Sequence, residues 1–483
     1  MERKLKVAFI HPDLGIGGAE RLVVDAALGL QRLGHSVDIY TSHHDPSHCF
    51  EETRDGTLRV HYIQSPFPRN IGGKMHILCA HLRQLHLTKY LLRDKLSIHD
   101  VFFVDQLSTC VPFLRAYARR RVLFYVHFPD KLLADGQFEG IMVKRKRGGL
   151  LKRFYRMPMD WLEEKTTGCA DLLLANSHFT SLVFETFFSI PRSLRVVYPG
   201  INISAYVPLS ESDLKGQDIQ EVISDRPTLL SLNRFEKKKN IALALKAFAE
   251  LRSHQLPFTP RLVLAGGYDP RVGDNVETLE ELITLASDAK LTFRISSPSK
   301  HTLSTLSVQS LSNTGDNDID VLFLLSFSSD QRAALLTAQN TLALLYTPTN
   351  EHFGIVPVEA MACGVPVLAC PSGGPLETVK RTGWLVEPDP SSWATLLRES
   401  IINLSASDRL AIAECARNRV RELFSLEAMT NQLDEALKEV VDMGLEITDA
   451  EAVETMIFIT FWKDILLAIG IVGSIFISFK LGL

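Results

Sequence analysis

The sequence predicts two tandem α/β domains, each a doubly wound parallel sheet, followed by a C-terminal apolar segment. Three observations carry this reading. The chain has 483 residues, too many for one ordinary core and suited to two domains of about 200 residues each. Short apolar runs alternate with helical patterns, as expected of parallel strands joined by crossover helices. The alternation restarts after a mostly polar stretch, Ser210–Asp225. Domains are therefore expected at 1–205 and 206–425, with a helix at 426–445 returning to the first domain and a membrane-anchoring segment at 456–479.

In the first domain, Lys6–His11 is a strand, followed by the turn Gly15-Ile16-Gly17-Gly18. A helix over Ala19–Leu33 places Leu22, Ala26 and Leu30 on one face, and Gly34 stops it. Val37–Tyr40, Val101–Asp105, Val122–His127 and Leu172–Ala175 are further strands, and Val196–Gly200 ends the unit. In the second, Thr228–Leu232 is a strand, Ile241–Leu251 a helix, and Leu262–Ala265 a strand ending in Gly266-Gly267. Leu342–Tyr346 and Val365–Ala369 are strands with the helix Ile355–Cys363 between them. The Ser- and Thr-rich segment 296–320 breaks the pattern and is expected to be a flexible surface insertion.

Composition narrows the function. Lys+Arg 52 against Asp+Glu 56 leaves a net charge of -4, so overall charge gives no case for a nucleic-acid partner. The seven cysteines are scattered without a Cys-x-x-Cys, which encourages neither a disulfide framework nor a cysteine zinc site. They read as reduced cytosolic thiols. The apolar run Val7–Ile10 is too short for a secretory signal, which needs roughly 7–15 residues. Met456–Phe479 is apolar except for Lys463 and Asp464, and at ~1.5 Å per residue it reaches across a ~30 Å bilayer core. Spanning requires Lys463 to snorkel beside Trp462, and an interfacial helix is the alternative. Either form of attachment leaves the catalytic domains facing the cytosol.

The first glycine cluster does not complete a dinucleotide fingerprint, because Glu20 stands where the third glycine belongs. Gly17 and Gly18 still let backbone amides approach an anion at the start of a helix. A tight turn that binds nothing would use the same glycines.

The sharpest cluster is Glu351-His-Phe-Gly-Ile-Val-Pro-Val-Glu359. Gly354 and Ile355 open the helix that carries Glu359, and Glu351 lies in the loop before it. Both acids thus fall at one mouth of the sheet, beside helix amides able to bind phosphate. Carboxylates accept several hydrogen bonds at once and suit sugar hydroxyls. Asn233-Arg234-Phe-Glu-Lys-Lys-Lys239-Asn240 follows the first strand of the same domain. Its loop faces the same crevice, where Arg234 and Lys239 can neutralise a departing diphosphate, while Lys237 and Lys238 read as solvated. A lysine run alone is usually a wet loop; its coincidence with the paired acids argues for a site.

Three other patterns were weighed. His43-His44-Asp-Pro-Ser-His48 is rich in metal ligands, but Pro46 breaks the helix that would align His44 with His48. Asp316-x-Asp318-x-Asp320 imitates a calcium loop, yet Val321 and Phe327 stand where glycine and glutamate are needed. Metal-independent chemistry is therefore expected. Lys144, Arg145, Lys146, Arg147, Lys152, Arg153 and Arg156 form an acid-free basic segment with interleaved apolar residues. It reads either as a solvated helix face or as a surface for anionic lipid near an acceptor.

These motifs together resemble the retaining glycosyltransferases of the GT-B fold, glycosyltransferase family 4, marked by Glu-x7-Glu. Arg234…Lys239, Gly354-Ile355 and Ser372-Gly373-Gly374-Pro375 also match, and the resemblance runs from Lys6 to about Met443. Within that group, His11–Arg21, Phe124–Asp130 and Thr349–Pro357 resemble the dolichol-pathway mannosyltransferases. The resemblance implies two Rossmann-like domains facing a cleft and transfer of α1,3- and α1,6-linked mannose with retention. GDP-mannose would be the donor and a dolichol-diphosphate-linked oligosaccharide the acceptor. The enzyme would work at the endoplasmic reticulum membrane, in the company of other mannosyltransferases of that pathway. It further implies that Glu351 contacts the donor sugar, Glu359 the ribose, and Arg234 and Lys239 the diphosphate. His127 matches a cleft histidine near the reacting sugar, and Gly373 and Gly374 join the donor site. Asn240 departs from the group, where glycine follows the lysine. The rival readings are another membrane-associated nucleotide-sugar glycosyltransferase of the same fold, then a nicotinamide-dependent oxidoreductase, which Glu20 disfavours, and a non-catalytic nucleotide-sugar scaffold.

Overall fold

The computed structural model describes residues 3–94, 99–133, 136–139, 142–145, 150–298, 300–304, 306, 312 and 319–460. The chain forms two compact units, one of Met1–Tyr198 with Met429–Leu483, the other of Pro199–Ala428.

The first unit holds β1 (Lys6–His11), β2 (Ser36–Thr41), β3 (Arg59–Tyr62), β4 (Val101–Asp105) and β5 (Arg121–Val126). The hairpin β6 (Gly136–Glu139) and β7 (Met142–Arg145), then β8 (Leu172–Ala175) and β9 (Arg195–Val196), complete it. The sheet runs β3-β2-β1-β4-β5-β8-β9, and every ladder in it is parallel. Its central strands are buried along their whole length, which is why they read as unbroken apolar runs. From β1 the chain winds outward to β3, then restarts on the other side at β4. That reversal places the ends of β1 and β4, His11 and Asp105, at the switch point where doubly wound sheets bind ligands.

The helix Gly18–Arg32 covers β1 and β2 with Leu22, Val23, Ala26, Ala27 and Leu30. A Cβ at Gly29 would fall 2.0 Å from the Thr430 hydroxyl, so only glycine lets the helix Leu426–Asp442 pack this closely. Beyond it, Arg121 ties the chain down by donating to the carbonyls of Met443 and Gly444 and pairing with Glu451. Residues 449–460 are helical, and Phe458 meets the ring of Trp161. Among the described residues, no helix is long and apolar enough to cross a membrane. Most of the apolar run Met456–Phe479 lies outside the described residues.

The second unit holds β10 (Thr228–Leu232), β11 (Arg261–Gly266), β12 (Phe293–Ser296), β13 (Val321–Leu325), β14 (Thr341–Tyr346), β15 (Val367–Ala369) and β16 (Gly383–Leu385). Their order is β12-β13-β11-β10-β14-β15-β16, again all parallel. Phe235, Phe248, Phe323 and Trp393 anchor the core between the sheet and its helices. The switch point here lies between β10 and β14, whose C-terminal ends carry the two motif loops. Of the expected insertion, the helix Lys300–Ser304 is described, and most of 305–318 lies outside the described residues.

Candidate active site

In the second unit, the loops after β10 and β14 are locked together. Lys239 Nζ meets Glu351 Oε2 at 2.5 Å, and the Thr347 hydroxyl donates to the Lys239 carbonyl at 2.6 Å. Burial alone would raise the Glu351 carboxyl, but the Lys239 ammonium, His352 and the Tyr346 hydroxyl hold it below the usual carboxylate range. Asn240 takes the left-handed conformation, φ 49°, and asparagine tolerates it better than most residues. That explains both the glycine usual at this position and the asparagine here. Gly266 lets the loop cross the end of β11, since a Cβ there would fall 1.7 Å from the Asn233 carbonyl oxygen.

Gly373 and Gly374 act on the same loop from the other side. A Cβ on Gly373 would lie 2.4 Å from the Glu351 carbonyl oxygen, and one on Gly374 2.2 Å from that of Phe353. The Gly374 amide donates to the Glu351 carbonyl at 2.7 Å. These glycines therefore fix the backbone that presents Glu351. Gly354, at φ 86°, turns the chain into the helix Ile355–Cys363, with Ile355 exposed at its start.

Glu359, one turn inside that helix, is buried. Its Oε1 accepts from the Tyr206 hydroxyl at 2.6 Å and from Arg332 at 2.9 Å. Burial raises its carboxyl, and Arg332 and Tyr206 oppose that rise. Both partners escaped the sequence reading, because they come from elements remote in the chain and carry no motif. Arg234 is not drawn to the acids: its side chain is 61% exposed and pairs with Glu236 at 2.8 Å.

In the first unit, Asp105 is buried between two imidazoles. His11 Nδ1 stands 2.8 Å from its Oδ1, and His127 Nε2 2.9 Å from its Oδ2. His127 is the partly open member of the three. Gly17, in extended backbone, caps the helix Gly18–Arg32, and a Cβ there would strike the Glu20 carboxylate at 2.3 Å. A Cβ on Gly18 would meet nothing within 4 Å, so that helix start is open.

The basic segment needs one correction. Arg156 does not belong to a free cationic face: it is 7% exposed and paired with Asp130 and Asp160. Two acids drew it inward, where it ties the helix Leu150–Gly168 to the helix Asp130–Leu133. Lys144 and Arg145 lie on β7, Lys152 and Arg153 on that helix, and Lys146 and Arg147 fall outside the described residues. The histidines at 43–48 make local bonds, His44 to the Thr53 hydroxyl. Asp320 of the calcium-like run pairs with Arg226 and Arg252, and Asp316 and Asp318 fall outside the described residues.

Comparison with known proteins gives consistent matches. The Glycosyl transferases group 1 model matches residues 217–419, and the Glycosyltransferase Family 4 model residues 16–205. The chain is 46% identical to alpha-1,3/1,6-mannosyltransferase ALG2 of Rhizomucor pusillus, over 91% of this chain and 92% of that protein. It is 42% identical to the enzyme of the same name from Saccharomyces cerevisiae, over 91% and 85%. Among solved structures, sucrose-phosphate synthase from Thermosynechococcus elongatus superposes with TM-score 0.66 at 21% identity, over 92% of this chain and all of that one. A glycosyltransferase from Rickettsia africae gives 0.63 at 18%, over 91% and 99%. Those structures share the two-sheet GT-B fold of this chain.

Proposed function

Because this chain belongs to the ALG2 family of alpha-1,3/1,6-mannosyltransferases, we propose that it moves mannose from GDP-mannose onto a dolichol-diphosphate-linked oligosaccharide. It is a glycosyltransferase, and the oxidoreductase and scaffold readings fall away. The acceptor is the core bearing one mannose, and α1,3 and α1,6 linkages are both made. The observation that carries the reading is the Lys239–Glu351 pair, held at the β10/β14 switch point beside the open start of the helix Ile355–Cys363.

The chemistry follows from charge. Breaking the mannosyl–phosphate bond builds positive charge on the anomeric carbon and negative charge on the GDP oxygens. Lys239 and the Gly354 and Ile355 amides are preorganised for the negative charge. Arg234 adds a second cation once it releases Glu236. Glu351 orients the sugar, and Glu359 offers Oε2 to the ribose while Tyr206 and Arg332 occupy Oε1. The family resemblance assigns Gly17 and Gly18 to donor binding and His127 to the neighbourhood of the reacting sugar. Retention proceeds by front-face attack, with a donor phosphate oxygen taking the acceptor proton. No metal is needed for this charge balance.

The enzyme works at the endoplasmic reticulum membrane with its catalytic units in the cytosol. Supports are the apolar run Met456–Phe479 and the basic residues Lys144, Arg145, Lys146, Arg147, Lys152 and Arg153, each adding about 1 kcal/mol near an anionic surface. Neighbouring enzymes of the same lipid-linked pathway are the expected company. Calorimetric titration with GDP-mannose, GDP-glucose and UDP-glucose tests the donor. GDP-mannose should bind tightest, and preference for either other sugar nucleotide would overturn the reading.

A further inference from the structure

The three strands at the centre of the first sheet, β1, β4 and β5, end in or just before three titratable residues. His11 closes β1, Asp105 closes β4, and His127 follows β5. The ends of β1 and β4 form the switch point of that sheet. His11 and Asp105 are 0% and 1% exposed, whereas the His127 ring is 20% exposed. A chain of ionisable groups thus starts in the core and ends at the surface, where ligands of such sheets bind.

We propose that Asp105 is a positioning residue that fixes His127 with its proton on Nε2, leaving Nδ1 to accept a hydrogen bond from a sugar hydroxyl, and that His11 keeps Asp105 ionised for this task. The proposal rests on the reading that His127 stands beside the reacting sugar.

The hydrogen-bond chemistry leaves little choice of tautomer. An ionised carboxylate only accepts. His11 Nδ1 approaches both Asp105 oxygens, at 2.8 and 3.0 Å, and His127 Nε2 approaches Oδ2 at 2.9 Å. Both nitrogens must therefore carry protons, and a neutral His127 has its lone pair on Nδ1. The charges agree. Burial pushes Asp105 up, yet the two imidazoles hold it below its ordinary value. Burial pushes His11 down, yet Asp105 and, more weakly, Glu20 hold it above. His11 Nε2 is buried without a hydrogen-bond partner, and the Glu20 carboxylate stands 4.0 Å away. His11 and His127 thus share one carboxylate, with His11 the fully buried partner.

The surroundings hold this arrangement without supplying a competing proton. The Tyr125 ring packs 5.1 Å from His127, and its hydroxyl donates to the Val197 carbonyl. Burial keeps the neighbouring Cys110 thiol protonated. Asn176 fixes the His127 backbone by donating to its carbonyl at 2.7 Å. The buried pair His11 and Asp105 is costly to desolvate, and a packed apolar cluster would stabilise the fold at least as well. What the polar chain provides is the orientation of one ring.

The test uses full-length protein in detergent with 15N-labelled histidine side chains. The His127 signals, identified by their loss in His127→Gln, should show the proton on Nε2. Asp105→Asn, which can donate to one imidazole, should disturb that tautomer. Its kcat should fall roughly 10²- to 10⁴-fold while KM for GDP-mannose changes only about threefold, as when a triad carboxylate is replaced by its amide. His11→Gln can still donate an amide hydrogen to Asp105, so the His127 proton should stay on Nε2 and kcat should fall less than in Asp105→Asn. A proton on Nδ1 in the wild type, or a loss in His11→Gln as large as in Asp105→Asn while the Nε2 proton stays in place, would overturn the proposal. An enzyme with the Nε2 proton in place that transfers no mannose would overturn the functional reading instead, and leave the tautomer assignment standing.

Discussion

Lys239 and Glu351, 112 residues apart in the chain, form an ion pair in which each side chain is largely buried. Neither belongs to a strand or a long helix. They meet because β10 and β14 are neighbours, so the loops after them emerge side by side. In the proposed reaction the pair holds two groups ready: a cation for the leaving diphosphate and an acid for the sugar.

Removing the cation should cost rate more than fold. Lys239→Ala should lower kcat by roughly 10²-fold or more, because it takes away charge where the transition state develops it. Glu351→Gln should chiefly lower kcat, and Glu359→Gln chiefly raise KM for GDP-mannose. Steady-state kinetics on the three variants checks this, and the reverse split would exchange the two acids' roles.

The pH dependence of donor binding should follow Glu359. Burial raises its carboxyl and Arg332 opposes the rise. Its ionised form is the one that accepts from ribose, so KM for GDP-mannose should climb as pH falls through its pKa. Arg332→Met should push that pKa further up and start the climb at higher pH. A KM profile unchanged in the variant would remove Arg332 from donor binding.

A single methyl group should silence the site from behind. Gly374→Ala sets a Cβ against the Phe353 carbonyl, and that backbone can yield only by moving the loop that presents Glu351. Turnover should fall at least 10-fold, since small misplacements of positioning groups are costly. Far-ultraviolet circular dichroism should stay near wild type.

How far the sequence carried this picture depended on burial. The buried strands β1, β4, β10 and β14 were legible because parallel strands covered on both faces are continuous apolar runs. β3, half exposed at a sheet edge, and the two-residue β9 have no such signal. β12 and β13 flank the polar insertion, which masked them. Glu351, Glu359 and Lys239 stood out as a motif, whereas Tyr206 and Arg332 are ordinary residues that only the fold brings to Glu359. Arg156 misled for a related reason: a run of cations gives no sign that Asp130, 26 residues earlier, turns one of them inward.

The C-terminal chain is bound to the first unit by charge. Arg121 is buried and pairs with Asp171 and Glu451 at 2.9 and 2.8 Å. Arg121→Ala leaves Asp171 with Arg115 and the Val122 backbone amide. Breaking such a buried pair costs about 3–5 kcal/mol, or roughly 6–20 °C in the melting of a unit this size. Scanning calorimetry should show that loss, and a shift under about 2 °C would mean the clamp is marginal.

Metal removal should be harmless. In the proposed reaction Lys239, the helix amides and a released Arg234 balance the diphosphate, so activity in excess EDTA should match that in magnesium. A complete loss that magnesium restores would contradict the charge balance.

Mannosyl transfer onto a lipid-linked core is read directly from its product. Membranes carrying the protein are incubated with GDP-mannose and a lipid-diphosphate chitobiose bearing one mannose, and the released glycan is weighed by mass spectrometry and digested with linkage-specific mannosidases. The account predicts addition of two hexoses, one removed by an α1,3-specific and one by an α1,6-specific enzyme, and neither added when Glu351→Gln replaces the wild type. An unchanged acceptor in the presence of folded, GDP-mannose-binding protein would contradict it.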